Sequence, residues 1–183
     1  MSNLLDKYLF QAIDAYPYDL EEAVESLNYA LSYDENNAIA LGLMGQIYAE
    51  QLKSYETAKE YYERALAADI SAVAIYPKYI NVLLWNEDHT EAEKLIDYAL
   101  TIKGTDKAVL YLKRAILFEQ KRAYKKALKC LKLAKSYAYN NYFINDLKEE
   151  ETRIKDKMPK KKKDKKKGAS SKKSKKHKNN KNE

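Results

Sequence analysis

The residue types that most often carry catalysis are sparse in this sequence of 183 residues. It holds two histidines, His89 and His177, and one cysteine, Cys130. A histidine-activated nucleophile and a histidine or multi-cysteine metal site need more of these side chains than the sequence offers. Carboxylates are numerous, but those such as Glu56 and Glu60 fall where the pattern predicts solvated helix faces. We therefore predict no enzymatic activity, no cofactor and no metal site.

Lysine is the residue type with the clearest chemical signal, and it is concentrated at one end of the chain. Residues 155–183 contain 15 lysines and three acidic residues, a net charge of +12, whereas residues 1–154 carry −5. Within the latter, residues 1–102 carry −12 and residues 103–154 carry +7. Charge therefore runs from acidic to basic along the sequence, and its basic end favours an anionic partner.

The final segment, residues 158–183, is predicted to be a disordered tail, because it lacks large apolar side chains beyond Met158 that could offset the entropy of ordering. Its lysines suit nucleic acid, an anionic membrane surface, a nuclear localisation signal in a eukaryote, the acidic half of this chain or of a second copy, or solubility alone. The expected polyanion contacts are Lys125, Lys126, Lys129, Lys160, Lys161, Lys162, Lys163, Lys165, Lys166 and Lys167.

Pairs of alanines seven residues apart recur through the first 134 residues. The pairs are Ala23 and Ala30, Ala58 and Ala65, Ala92 and Ala99, and Ala127 and Ala134, with successive offsets of 35, 34 and 35. A large apolar residue follows each first alanine by four positions, namely Leu27, Tyr62, Ile96 and Leu131. Positions i, i+4 and i+7 share one helix face, so each copy predicts a helix with a small, large, small packing stripe.

A more apolar segment precedes each of these helices, as in "NAIALGLMGQIYAEQ" and "DKAVLYLKRAILFEQ". The short connections between the two segments predict antiparallel helical hairpins of about 34 residues. Pro77 lies inside one such segment, "SAVAIYPKYINVLLW", and predicts either a late helix start near Tyr76 or a kink.

The chain resembles the tetratricopeptide repeat family in residues 3–137. The family pattern of large, large, small, aromatic, small and aromatic residues is met in the second copy by Leu41, Met44, Gly45, Tyr48, Ala58 and Tyr62. The first copy matches only in its second helix. The resemblance implies an all-α fold, a right-handed α-α superhelix (solenoid) of four hairpins at about 3–35, 37–70, 72–104 and 107–138. A C-terminal capping helix is predicted at 140–157, before the disordered tail.

In this family the first helices of the hairpins line a concave groove that binds a peptide or helix of a partner. The resemblance implies that this groove is lined by Ile39, Gly42, Gln46, Ala49, Asn81, Leu84, Trp85, Val109, Leu112 and Ile116. Trp85 either anchors a partner or packs against the next hairpin. A clamp for a partner's terminal carboxylate is disfavoured, because Lys78, Asn81 and Lys113 are its only near candidates.

The most economical function is a non-catalytic scaffold or adaptor that binds another protein in the groove, with the basic tail adding electrostatic binding. The alternative is an accessory protein of RNA or DNA complexes, recruited through the tail and the basic fourth repeat. Charge-driven self-association is a third hypothesis. The N-terminal segment does not look like a secretion signal and no segment is long enough for a membrane span, so we expect a cytoplasmic protein, or a nuclear one in a eukaryote.

Overall fold

The computed structural model describes residues 2–159, with side chains from Leu4 onward. These residues form α1 Ser2–Ala15, α2 Leu20–Tyr33, α3 Ala38–Glu50, α4 Tyr55–Ala68, α5 Ile75–Trp85, α6 His89–Ala99, α7 Lys107–Gln120, α8 Tyr124–Tyr137 and α9 Asn141–Lys157. The expected tail beyond Pro159, with His177 and the lysines at 160–163 and 165–167, lies outside the described residues. In the described chain, no helix is both long and apolar enough to cross a membrane.

The alanine stripes lie at the centre of the packing. All eight alanines of the four pairs have no exposed surface, and the large residue within each pair is buried as well. The stripes face the first helix of their own hairpin and the first helix of the next, because α4 contacts α3 and α5, and α6 contacts α5 and α7. Small residues at both ends of each stripe permit this close approach. The packing role predicted for the alanines is therefore confirmed.

The first helices also touch one another directly. α5 contacts both α3 and α7, so the first helices of the last three hairpins form one continuous wall of the stack. The largest apolar cluster runs along that wall and the helices behind it, from Leu41 in α3 to Leu117 in α7. The residues of the described chain thus form an all-α repeat solenoid, which confirms the predicted fold class.

Helix α5 begins at Ile75, which resolves the conflict raised by Pro77. The proline is the third residue of the helix, where a backbone N–H would have no intrahelical acceptor. The late start is therefore the alternative that the structure shows, and residues 71–74 form the preceding turn. This turn places Val73 and Ala74 beside the wall of first helices.

The turn inside three hairpins uses a left-handed residue that is not glycine. Lys53, Glu87 and Arg122 have φ values of 55°, 61° and 56° at equivalent places after α3, α5 and α7. In two of these turns the N–H after the left-handed residue bonds to a carbonyl five residues back, from Asp88 to Leu83 at 2.8 Å and from Ala123 to Phe118 at 2.7 Å. This hydrogen bond is typical of a Schellman helix end.

Helix α9 closes the C-terminal end of the stack. Its buried Leu147 and Ile154 join Leu131 and Ala134 of α8 in one apolar cluster. Glu119 of α7, whose side chain is only 9% exposed, accepts hydrogen bonds from Arg153 at 2.5 and 2.6 Å and from Lys157 at 2.8 Å. Burial raises the pKa of Glu119, but these hydrogen bonds outweigh it and lower the pKa below its usual value.

Candidate binding groove

A cavity of about 660 Å³ opens on the wall of first helices near its N-terminal end. It lies between α1, α3, the α4–α5 turn and the start of α5. Its lining is mostly apolar and consists of Ile13, Tyr16, Ala38, Ile39, Gly42, Leu43, Gln46, Asp69, Ser71, Ala72, Val73, Ala74, Ile75 and Lys78. The volume falls within the range of small-molecule sites and of pockets that take one or two side chains of a partner.

Two residues of α3, Gly42 and Ile39, contribute to the apolar lining of the cavity. Gly42 of α3 has no side chain, and a Cβ there would lie 3.4 Å from the Ile75 side chain, so glycine leaves room between α3 and α5. Ile39, one turn earlier on α3, is 60% exposed although it is aliphatic. An aliphatic side chain held open to water beside a concave apolar surface is a candidate contact for a partner.

A chain of hydrogen bonds connects α1, α3 and α5 at one side of the cavity. Lys78 of α5 donates to Gln46 Oε1 at 2.7 Å, and Gln46 Nε2 of α3 donates to Glu50 Oε2 at 3.0 Å. Tyr16 of α1 donates to the same Glu50 oxygen at 2.5 Å. Burial, reinforced by the Glu50 hydrogen bond, raises the pKa of the Tyr16 hydroxyl. This network fixes the relative positions of the helices that line the cavity.

The other predicted groove residues fall into three groups. Ala49 and Leu84 are buried in the core, so their side chains offer almost no surface to a partner. Asn81, Val109, Leu112 and Ile116 are half-buried along α5 and α7. Trp85 is 46% exposed, and its ring lies beside Tyr55 of the preceding hairpin, with 6.1 Å between the ring centroids. Of the predicted set, Ile39, Gly42 and Gln46 are brought together in the cavity.

The residues that the sequence pattern missed come from α1 and from the α4–α5 turn. Ile13 and Tyr16 line the cavity from α1, and Val73 and Ala74 line it from the turn. The first copy matched the repeat pattern only in its second helix. The residues of α1 could therefore not be aligned with the wall positions of the other copies. The three-residue spacing of Ile13 and Tyr16, which puts both on one helix face, was the available signal.

Two features of the cations near the wall disfavour a carboxylate clamp. Lys78 already donates to Gln46 at 2.7 Å, and burial lowers the pKa of the Lys113 ammonium on α7. Glu50, on the same network as Lys78, adds a negative charge beside it. The Nε2 atom of His89, at the start of α6, lies 3.1 Å from the amide oxygen of Gln120.

The basic residues of α8 lie apart from the cavity. Lys125, Lys126 and Lys129 are all exposed, with Lys126 Nζ 5.4 Å from the centre of the Phe118 ring. Met158 and Pro159, which follow α9, lie with Lys125 and Lys126 around a shallow recess. The described chain therefore ends beside the basic α7–α8 turn.

The arrangement of the helices is that of a tetratricopeptide-like helical repeat fold. The crystal structure of MamA protein superimposes on 85% of this chain and 90% of its own with a TM-score of 0.66, at 16% sequence identity. At that identity the likeness concerns the fold. No protein-family model matches the chain. A search of curated proteins by sequence also finds no match.

Proposed function

We propose that this chain is a non-catalytic scaffold or adaptor that binds a segment of another protein in its concave groove. The observation that carries the proposal is the apolar cavity between α1, α3 and α5, whose lining includes three of the ten residues expected in the groove, Ile39, Gly42 and Gln46. Residues 3–137 act as the four-repeat body, about 3–35, 37–70, 72–104 and 107–138, and residues 140–157 act as the cap. The protein works in the cytoplasm.

The bound segment presents an apolar side chain to the cavity. Ile39, Leu43 and Ile75 would contact that side chain, because they form the apolar lining of the same space. Basic residues flanking it would meet the acidic half of the body, since residues 1–102 carry a net charge of −12. Asp69 stands at the cavity as one of these acidic groups, and hydrogen bonds from the Ser71 hydroxyl and backbone N–H lower its pKa.

Replacing Ile39 with aspartate in the full chain tests the proposal. Because Ile39 is largely exposed, Ile39→Asp preserves the fold while placing a charge in the apolar cavity. Leu52→Asp is the matched control, since Leu52 is 56% exposed in the α3–α4 turn and does not line the cavity. Both variants and the parent protein are used for quantitative affinity capture from extract treated with nuclease.

We expect Ile39→Asp to reduce captured partners at least about tenfold, which corresponds to 1.4 kcal/mol, and Leu52→Asp to retain them. Equal capture by the two variants would refute binding in the cavity. Capture of added copies of this chain alone would instead favour charge-driven self-association.

A second candidate function, as an accessory protein of RNA or DNA complexes, is favoured by one observation. Met158 and Pro159, the first two residues of the predicted tail, lie beside Arg122, Lys125 and Lys126. Basic residues of the body and of the tail sequence would therefore act on one polyanion. Salt would weaken such binding steeply, unlike apolar binding in the groove.

A further inference from the structure

A row of lysines follows the solvent side of α8. Ala127, Leu131 and Ala134 are fully buried, which fixes the inward face of the helix. Lys125, Lys129 and Lys132 lie four and three residues apart, so they form a stripe on the opposite face, and all three are exposed. At 1.5 Å per residue the stripe is about 10 Å long, enough to meet two successive phosphates of a nucleic acid strand.

Seven cations of the described residues form ion pairs with carboxylates, and the three lysines of this stripe are not among them. Lys59 pairs with Asp88 at 2.8 Å and Lys121 with Glu93 at 2.9 Å, and Arg114 and Lys135 pair with Asp97 and Glu151. Within residues 4–159, no acidic side chain comes within ion-pair distance of Lys125, Lys129 or Lys132. Their charge is therefore available to an external anion.

Two exposed tyrosines stand at the C-terminal end of the same helix. Tyr139 is 100% exposed in the link between α8 and α9, and Tyr142 is 86% exposed in the first turn of α9. Neither ring pairs with another aromatic ring of the described chain. Exposed aromatic rings next to a basic surface are the usual stacking platforms for unpaired bases.

We propose that the outer face of α8 binds single-stranded nucleic acid, with Lys125, Lys129 and Lys132 on the phosphates and Tyr139 and Tyr142 stacked on bases. The proposal rests on the second candidate function and gives it a site on the body. A duplex would hide its base faces from the tyrosines, so the site prefers single strands. A membrane is a poorer ligand, because the apolar face that α8 would need to insert is buried in the core.

The test measures fluorescence anisotropy of a labelled 20-nucleotide oligouridylate bound to the full chain at several salt concentrations. Lys129→Glu/Lys132→Glu is compared with Lys94→Glu/Lys103→Glu, which changes the net charge equally at exposed sites on α6 and in the α6–α7 link. Tyr139→Ala/Tyr142→Ala is compared with Tyr18→Ala. Tyr18 is 93% exposed and lies in the acidic part of the chain, residues 1–102. A duplex of the same length and vesicles of phosphatidylserine serve as alternative ligands.

We expect the α8 charge reversals to weaken binding at least about tenfold more than their control. They should also reduce the slope of log affinity against log salt by about 1.4, the contribution of two phosphate contacts on a single strand. The paired tyrosine change should weaken single-strand binding at least about fivefold while leaving this slope and duplex binding unchanged.

Equal losses from the two charge-reversed pairs would overturn the site on α8 while leaving tail-driven binding intact, which separates this proposal from the second candidate function. Unchanged affinity of the tyrosine variant, or equally tight duplex binding, would overturn recognition of a single strand. Binding to vesicles without binding to the oligonucleotide would overturn both nucleic-acid proposals.

Discussion

Gly42 and Gly45 on α3 differ in how much space the surrounding side chains leave for an added Cβ atom. A Cβ at Gly45 would lie 3.1 Å from three carbons of the Tyr62 ring. That ring is 1% exposed and is stacked on Tyr79, with 5.7 Å between the centroids, so it has no free direction in which to move. A Cβ at Gly42 would meet only the side chain of Ile75, at 3.4 Å.

We therefore expect Gly45→Ala to be less stable than Gly42→Ala by about 1 to 3 kcal/mol, the usual cost of overpacking a core. Both changes gain the same helix propensity, about 1 kcal/mol, so the difference between them isolates the packing. Urea unfolding followed by circular dichroism measures the two free energies. A Gly45→Ala protein as stable as Gly42→Ala would show that the Tyr62 ring is not held rigidly.

The candidate groove could be predicted in part at the residue scale. The resemblance to the tetratricopeptide repeat family implied that Ile39, Gly42 and Gln46 lie on the wall, and they meet in the cavity. Ala49 and Leu84 were expected on the same wall but are buried. The first helices have neighbours on several sides, so helical periodicity alone does not show which of their faces is exposed. Ile13 and Val73 line the cavity through tertiary packing, for which the sequence offered only the helical spacing of Ile13 and Tyr16 as a signal.

At the scale of helices and turns, the sequence predicted helices well and their ends less well. The alanine periodicity located the second helix of every hairpin, because burial of a small, large, small stripe depends only on spacing. The late start of α5 was one of two alternatives that Pro77 left open. The left-handed residues in the turns gave no sequence signal, since lysine, glutamate and arginine stand where glycine is usual.

The turn after α5 gives a prediction at this scale. Glu87 adopts a φ of 61°, which strains an ordinary residue but not glycine. We expect Glu87→Gly to stabilise the protein by about 0.5 to 1 kcal/mol, and Glu60→Gly, at an exposed position inside α4, to destabilise it by a similar amount. Thermal unfolding of both variants provides the measurement. Destabilisation by both would contradict the strain assigned to this turn.

Across the whole molecule, the two candidate surfaces differ in position and chemistry. The cavity is apolar and lies between α1, α3 and α5, in the part of the chain with net charge −12. The lysine stripe lies on α8, in residues 103–154 with net charge +7. A stack of repeats joined by nearest-neighbour packing lets one end bind without deforming the other. The two binding activities should therefore be separable by mutation.

The central claim is that the cavity binds a segment of another protein, and site-specific photo-cross-linking tests it most directly. A benzophenone-bearing amino acid is placed at position 39 in the cavity or at position 52 outside it, and each full chain is irradiated in nuclease-treated extract. We predict a discrete set of cross-linked partner polypeptides from position 39 that position 52 does not give. The same products from both positions, or none from position 39, would contradict the claim.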